Sequence, residues 1–374
     1  MSELLCKINS LAIFKGVSES EPLKSLRGFL KIADDVSETR YNVLEKYTSF
    51  VNALYSIRQD GDLAAAIWNS LKYDDNPLLA AYVKAESARI RGKEPLKISA
   101  LLKSTSDKEL DLLNEISLTS YADVEKMLAY DGYVAQFKTT GIDIKDKYMK
   151  MLENITRSGY GMYADNAVFR TEGSELIPVK YPDKVRAEGL FGYESERSKV
   201  IENTKEFVKG QPYADILLYG ESGTGKTATV RATARMFAQY GVRLVSVGKN
   251  EMMNLIPLIE RLSTVPMRFI LLLDDIIEDV SLLESAITSA RQNIAIYATS
   301  SNTQTNLTGL FGMNIFLDRP DKAEYLRIAH KICEARGIRI GDEESFEVEA
   351  EKLASIEGGR SARSARRFVD LMGR

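Results

Sequence analysis

Residues 220 to 227 read Gly-Glu-Ser-Gly-Thr-Gly-Lys-Thr, set between the apolar run Ile216-Leu217-Leu218-Tyr219 and a segment with helical periodicity. Gly220, Gly223 and Gly225 let the backbone turn sharply, so that successive N–H groups face inward at the positive end of the new helix. That arrangement suits a phosphate. In such a loop Lys226 reaches the β- and γ-phosphates and the Thr227 hydroxyl ligates magnesium, while Glu221, Ser222, Thr224 and Ala228 complete the cradle. A glycine-rich surface turn shares the composition but does not ask for a strand before it and a helix after it.

Forty-eight residues after the lysine, Phe269-Ile270-Leu271-Leu272-Leu273 ends in Asp274-Asp275. Continuous apolarity of this length predicts a strand buried on both faces of a parallel sheet. Ligands of such sheets bind at the carboxyl ends of the strands, which puts Asp274 beside the phosphate loop as the magnesium partner. Asp275 is then placed to orient or deprotonate an attacking water. The same two aspartates standing alone would read as a helix cap.

The chain of 374 residues, 44% hydrophobic, is long enough for two or three cored domains. Its net charge of −3 offers no global attraction to nucleic acid. Cys6 and Cys333 lie far apart and His330 is the only histidine, which excludes a disulfide framework and a zinc site and fits a reducing cytoplasm. No run reaches the roughly 18 apolar residues of a membrane span.

Residues 1 to 155 carry helical patterning. Val43, Leu44, Tyr47, Val51, Leu54 and Tyr55 recur at three- and four-residue intervals, and similar stripes run through 63–71, 97–102 and 107–130. Trp68 and the tyrosines here lack interleaved cations and are read as packing residues rather than base-stacking ones. Over 156–184 the character changes: Ala167-Val168-Phe169-Arg170 mirrors Leu176-Ile177-Pro178-Val179 across Glu172-Gly173, a short β-hairpin followed by a connector. From 185 to 319 helix and strand alternate, with strands expected at 216–219, 243–247, 269–273, 294–298 and 314–317 and helices at 194–208, 226–239, 252–262 and 281–291. Three helices follow over 320–374, expected at 322–336, 346–356 and 361–372.

The phosphate loop, the acid-tipped strand, a strand ending Ala298-Thr299-Ser300-Ser301-Asn302, and a helical end bearing Gly358-Gly359-Arg360-Ser361-Ala362-Arg363 together resemble the AAA+ ATPases. More closely, residues 185 to 374 resemble a bacterial ATP-binding AAA+ family carried as domain of unknown function 815, through Leu190-Phe191-Gly192-Tyr193-Glu194, Leu217-Leu218-Tyr219-Gly220, Asp274-Asp275, Ile296-Tyr297-Ala298-Thr299-Ser300 and Arg367-Phe368-Val369-Asp370. The fold class expected is an α/β P-loop NTPase: a parallel sheet with a C-terminal helical lid, preceded by an all-α domain and the hairpin. The resemblance implies that Phe191, Gly192 and Tyr193 lie against adenine, and that Arg363 on the lid senses the γ-phosphate, with Arg360 and Arg366 as rivals. It also implies a first sensor at Ser301 or Asn302, an alternative left open by the sequence. Asp275 stands where most AAA+ enzymes carry the longer Glu. Where relatives carry an arginine that reaches a neighbouring subunit's γ-phosphate, this chain has Leu310, before Phe311-Gly312, and no Lys or Arg falls between Arg291 and Arg319.

Two functions fit these residues. One is an Mg-dependent ATPase of slow turnover, acting as a nucleotide-driven switch or remodeller of a protein client. The other is a module that holds ATP and scarcely hydrolyses it. DNA binding rests only on Arg360, Arg363, Arg366, Arg367 and Arg374 near the end of the chain, and a small-molecule kinase lacks any marked acceptor pocket.

Overall fold

The computed structural model describes residues 3–182, 187–276, 280–289 and 292–372. The chain forms two compact units: Met1–Ala88, Glu94–Ile155 and Gly159–Asp165 make the first, and Arg89–Lys93, Thr156–Ser158 and Asn166–Arg374 the second. Among the described residues no helix is long and apolar enough to cross a membrane.

The N-terminal part is helical: α1 (Glu3–Ser10), α2 (Lys15–Glu19), α3 (Glu21–Ala33), α4 (Arg40–Ile57), α5 (Leu63–Tyr73), α6 (Pro77–Ile90), α7 (Ala100–Ser117), α8 (Tyr121–Glu125), α9 (Ile144–Glu153), α10 (Ile155–Ser158) and α11 (Met162–Asp165). Of the stripe expected on α4, Val43, Tyr47, Val51 and Leu54 are buried, joined by Phe50, while Leu44 is half-buried and Tyr55 exposed. Thr39, Asp62 and Asp143 start α4, α5 and α9 by accepting the N–H three residues on. The pattern read as continuous over 107–130 is broken after Ser117, and α8 restarts under a capping box of Ser120 and Asp123. Tyr47 and Tyr148 are fully buried and hydrogen-bonded, Tyr47 to Ala135 O (2.6 Å) and Tyr148 to Asn76. They are packing residues, as their surroundings require.

The second unit is built on one seven-stranded sheet of β1 (Val168–Glu172), β2 (Glu175–Pro178), β3 (Ile216–Gly220), β4 (Val242–Val247), β5 (Arg268–Leu273), β6 (Ile294–Ser300) and β7 (Met313–Leu317), in the order β2-β1-β4-β5-β6-β3-β7. Every pairing is parallel except β1 with β2. All five residues of Phe269–Leu273 are fully buried, the double-faced burial that their unbroken apolarity demands. On one face α12 (Glu194–Lys209) and α13 (Lys226–Phe237) bury Val200, Phe207, Val230 and Phe237 against Leu218, Ile270, Leu272 and Tyr297. The helices α14 (Leu255–Ser263) and α15 (Val280–Ser289) pack against each other, α14 also touching β6.

The hairpin is the part that differs from expectation. Its register sets Arg170 opposite Ile177 and Glu172 opposite Glu175, one residue on from the pairing of Arg170 with Leu176 that the mirrored runs suggest. Yet it is no free connector, because β1 pairs in parallel with β4, Val168 opposite Leu244, and so extends the sheet. The boundary expected at 184/185 and the helix end expected at Arg291 lie outside the described residues. Helix starts also shift: 252–262 resolves into a 3-10 turn at Lys249–Asn254 and then α14.

The C-terminal helices are α16 (Lys322–Arg336), α17 (Glu343–Ile356) and α18 (Ala362–Met372). Asp321 and Asp342 cap the starts of α16 and α17, and Gly337 ends α16 with a left-handed φ of 68°. Tyr325, Ile328, Phe346, Phe368 and Val369 form their shared core, on which Phe191 packs.

Candidate nucleotide site

The phosphate loop closes the C-terminal end of β3. Gly220 adopts φ 130°, and a Cβ there would strike Leu317 O on the neighbouring strand, so only glycine serves. Gly225, at φ 97°, is the N-cap of α13 and supplies no side-chain acceptor, which leaves the first N–H groups of that helix turned toward the cavity mouth. Lys226 is buried, and its Nζ donates to the carbonyls of Gly220 (2.8 Å) and Glu221 (2.7 Å). Burial pushes its ammonium pKa down, opposed by the charge of Asp275 nearby. The Thr227 hydroxyl donates to Asp274 Oδ1 at 2.5 Å, so the two oxygens expected to hold a metal already meet.

At the tip of β5, Asp275 has a left-handed backbone, φ 51°. Its Oδ1 accepts the Ser301 N–H (3.2 Å) and its Oδ2 the Lys249 ammonium (3.0 Å). The Ser301 hydroxyl first, then Lys249 and with a smaller part the Ser301 N–H, hold its carboxyl below the usual range. Of the two residues expected as first sensor, Ser301 lines the cavity and Asn302 Oδ1 accepts the Gln304 N–H within its own loop.

A cavity of about 710 Å³ lies over the loop. Ser222 to Thr229 form its floor, Asp274, Asp275, Thr299 and Ser301 one wall, and Phe191, Ile328 and Ile332 an apolar end. Its volume falls within the range of small-molecule sites. Six cationic side chains line it, Arg197, Lys226, Arg231, Arg336, Arg363 and Arg366, against the two carboxylates. Arg336 is paired with Asp370 (2.6 Å), and the positive charge that remains in excess matches a polyanion. The lid meets the loop directly: the Arg363 N–H donates to Gly223 O (3.1 Å), and a Cβ on Gly223 would lie 2.9 Å from Ser361 Oγ. Among the three arginines weighed as lid sensor, Arg360 is taken by Glu351 (2.7 Å), and Arg363 and Arg366 both face the cavity.

Tyr193 lies off the cavity lining. It caps α12 with φ 57°, and its hydroxyl donates to Asp318 O (2.6 Å), so it is turned from the cavity and only Phe191 of the three expected base contacts lines it. Gly192 instead lets the lid approach, its absent Cβ leaving room for Ile328 Cδ1. Gly220 and Glu221 lie under the loop as acceptors for Lys226 rather than on the cavity wall. Residues that the sequence reading passed over are Thr299, Lys249, Arg197, Arg231 and Arg336. Arg231 was within reach, since it sits one helical turn beyond Thr227 and Ala228 and therefore on their face. The rest needed tertiary pairing.

Among the described residues the terminal arginines form no free basic patch. Arg360 pairs with Glu351, Arg367 with Glu357 (2.5 Å), and Arg363 and Arg366 line the cavity; Arg374 lies outside the described residues. Leu310, at the expected finger position, is half-buried after a 3-10 turn, and the next cation, Arg319, binds Glu221 (3.1 Å).

A parallel sheet with the phosphate loop on β3, the acid tip on β5 between β4 and β6, and a helical lid over the loop defines a P-loop NTPase fold of the AAA+ class. The family described as "Protein of unknown function (DUF815)" matches residues 162–305 and 301–374. The chain belongs to that family. A search of curated proteins finds no match. Among solved structures, similarity is found to Thermotoga maritima RuvB (15% identity, 50% of this chain and 72% of that one, TM-score 0.32), C. elegans PCH-2 (14%, 50% and 64%, 0.37) and Aeropyrum pernix ORC1 in complex with DNA (18%, 51% and 62%, 0.42). The class rests on this chain's own topology and loop rather than on these overlaps.

Proposed function

We propose that this chain is an ATP-binding protein that hydrolyses ATP slowly with magnesium and uses the lid as a nucleotide-driven switch on a protein client. The observation that carries the reading is the cavity itself, where a phosphate loop, two carboxylates and lid arginines converge. Lys226 and the first N–H groups of α13 hold the β- and γ-phosphates, and Phe191, Ile328 and Ile332 supply the apolar surface for the base. The Thr227 hydroxyl and the Asp274 carboxylate are hard oxygen donors that meet in space, the set that suits magnesium, and these two residues would hold it. When bound, the ion neutralises phosphate charge. Asp275 orients a water whose oxygen bonds to the γ-phosphorus as the β–γ bridging bond breaks, giving ADP and phosphate, with the water proton drawn toward the carboxylate. Arg363, on the lid, binds ATP and ADP with different affinity, so hydrolysis shifts the lid equilibrium.

Leu310 supports slow turnover, since an arginine finger is worth about 10³ to 10⁵ in rate. It also favours the second reading, an ATP-holding module with almost no hydrolysis. Calorimetry with Mg-ATP tests the first step: Lys226→Ala should weaken binding by roughly 100-fold or more, and unchanged uptake would sink the proposal. Single-turnover hydrolysis then separates the readings, because equal rates in wild type and Asp275→Asn favour the holding module.

A further inference from the structure

Asp275 is one of three non-glycine residues with positive φ among those described, and it sits at the site. Its backbone is gripped from both sides by a single residue of the neighbouring strand. The Asp275 N–H donates to Thr299 Oγ1 (2.8 Å), and the next N–H, of Ile276, donates to Thr299 O (2.9 Å). The same Thr299 hydroxyl bonds Asp274 Oδ1 at 2.8 Å, the oxygen that also accepts from Thr227. A hydroxyl has one proton, so the directions are fixed: Asp275 gives to Thr299, and Thr299 gives to Asp274. The register brings this about, since Leu273 stands opposite Ala298 and Thr299 is therefore level with Asp274.

We propose that Thr299 is a positioning residue that holds the water-orienting Asp275 in its left-handed turn and ties that turn to the Asp274–Thr227 pair. Thr299 is 1% exposed, so neither bond has a solvent substitute. With the hydroxyl gone, the Asp275 N–H loses its acceptor and the unfavourable φ loses its support, and the carboxylate leaves the Ser301 N–H. The inference rests on the reading of Asp275 as the residue that orients water.

The test is single-turnover ATP hydrolysis with a parallel ATP-binding titration on the full chain. Thr299→Val keeps volume and β-branching and deletes only the hydroxyl. It should slow hydrolysis by about 10- to 100-fold, with the ATP dissociation constant changed by less than about threefold. Thr299→Ser should restore the rate to within about threefold of wild type. In an Asp275→Asn background, Thr299→Val should cost nothing further, because its effect runs through Asp275. Undiminished hydrolysis by Thr299→Val, or a loss that persists in full beside Asp275→Asn, overturns the proposal. If Thr299→Val does not fold, Thr299→Ala carries the same expectation. If Asp275→Asn alone leaves the rate unchanged, the reading of Asp275 fails first, and the two failures are told apart.

Discussion

The two ends of the central sheet hold the same kind of residue in opposite electrostatic conditions. At the N-terminal end, the Asp215 carboxylate is half-buried with one backbone donor, Ile296 N–H at 2.7 Å, and its desolvation lifts its pKa to about 6. At the C-terminal end, Asp275 is held below the usual range by the Ser301 bond and Lys249. The difference is one of supply. Asp275 is furnished with a positive partner in Lys249, while Asp215 lies beside the neutral network of Asn203, Thr204 and Tyr297, and the guanidinium Nε at the start of β5, Arg268, is spent on Phe207 O. The cavity opens at the second of these two ends.

The comparison can be broken or sharpened by substitution. The largest effect is expected from Asp274→Asn, which leaves Thr227 without its anionic partner; magnesium-dependent hydrolysis should fall by about 100-fold or more, and a rate that keeps its magnesium dependence would show that the acid tip does not hold the ion. Next comes Asp215→Asn. An acid whose folded value lies above its ordinary 3.8 binds its proton more tightly in the native state, so stability declines as pH rises from 3.8 to about 6 and stays low above that. The variant should lose that decline and gain up to about 3 kcal/mol at pH 7, read from melting curves across the window; an unchanged slope would place the desolvated charge elsewhere. The smallest effect belongs to Lys249→Met. Its pair with Asp275 is half exposed, so unfolding free energy should drop by less than about 1 kcal/mol. A greater loss in denaturant titrations would mean that Lys249 is a structural member of the site.

Much of this architecture is written locally. The runs 216–219 and 269–273 and the glycine spacing of 220–227 serve fold and chemistry with consecutive residues, so one stretch of chain discloses both. The lid helices carry their own caps at Asp321 and Asp342. What stays hidden in the sequence is long-range. The pairing of Val168 with Leu244 has no local sign, and without it the hairpin reads as a connector. The Thr299 bridge exists only once β5 and β6 are in register, and the aspect of Tyr193 follows from a carbonyl 125 residues away. The cations of the cavity wall are scattered over α12, α13, α16 and α18, where each alone is indistinguishable from a solvated helix face.

Because β1 is zipped onto β4, the true frontier of the nucleotide-handling half lies upstream of where motif boundaries suggest. Trimming the chain back to the helix that begins at Glu194 would strip β4 of its outer companion and bare a row of amide and carbonyl groups that recruits other molecules into aggregates. A fragment meant for crystallisation therefore starts no later than Asn166.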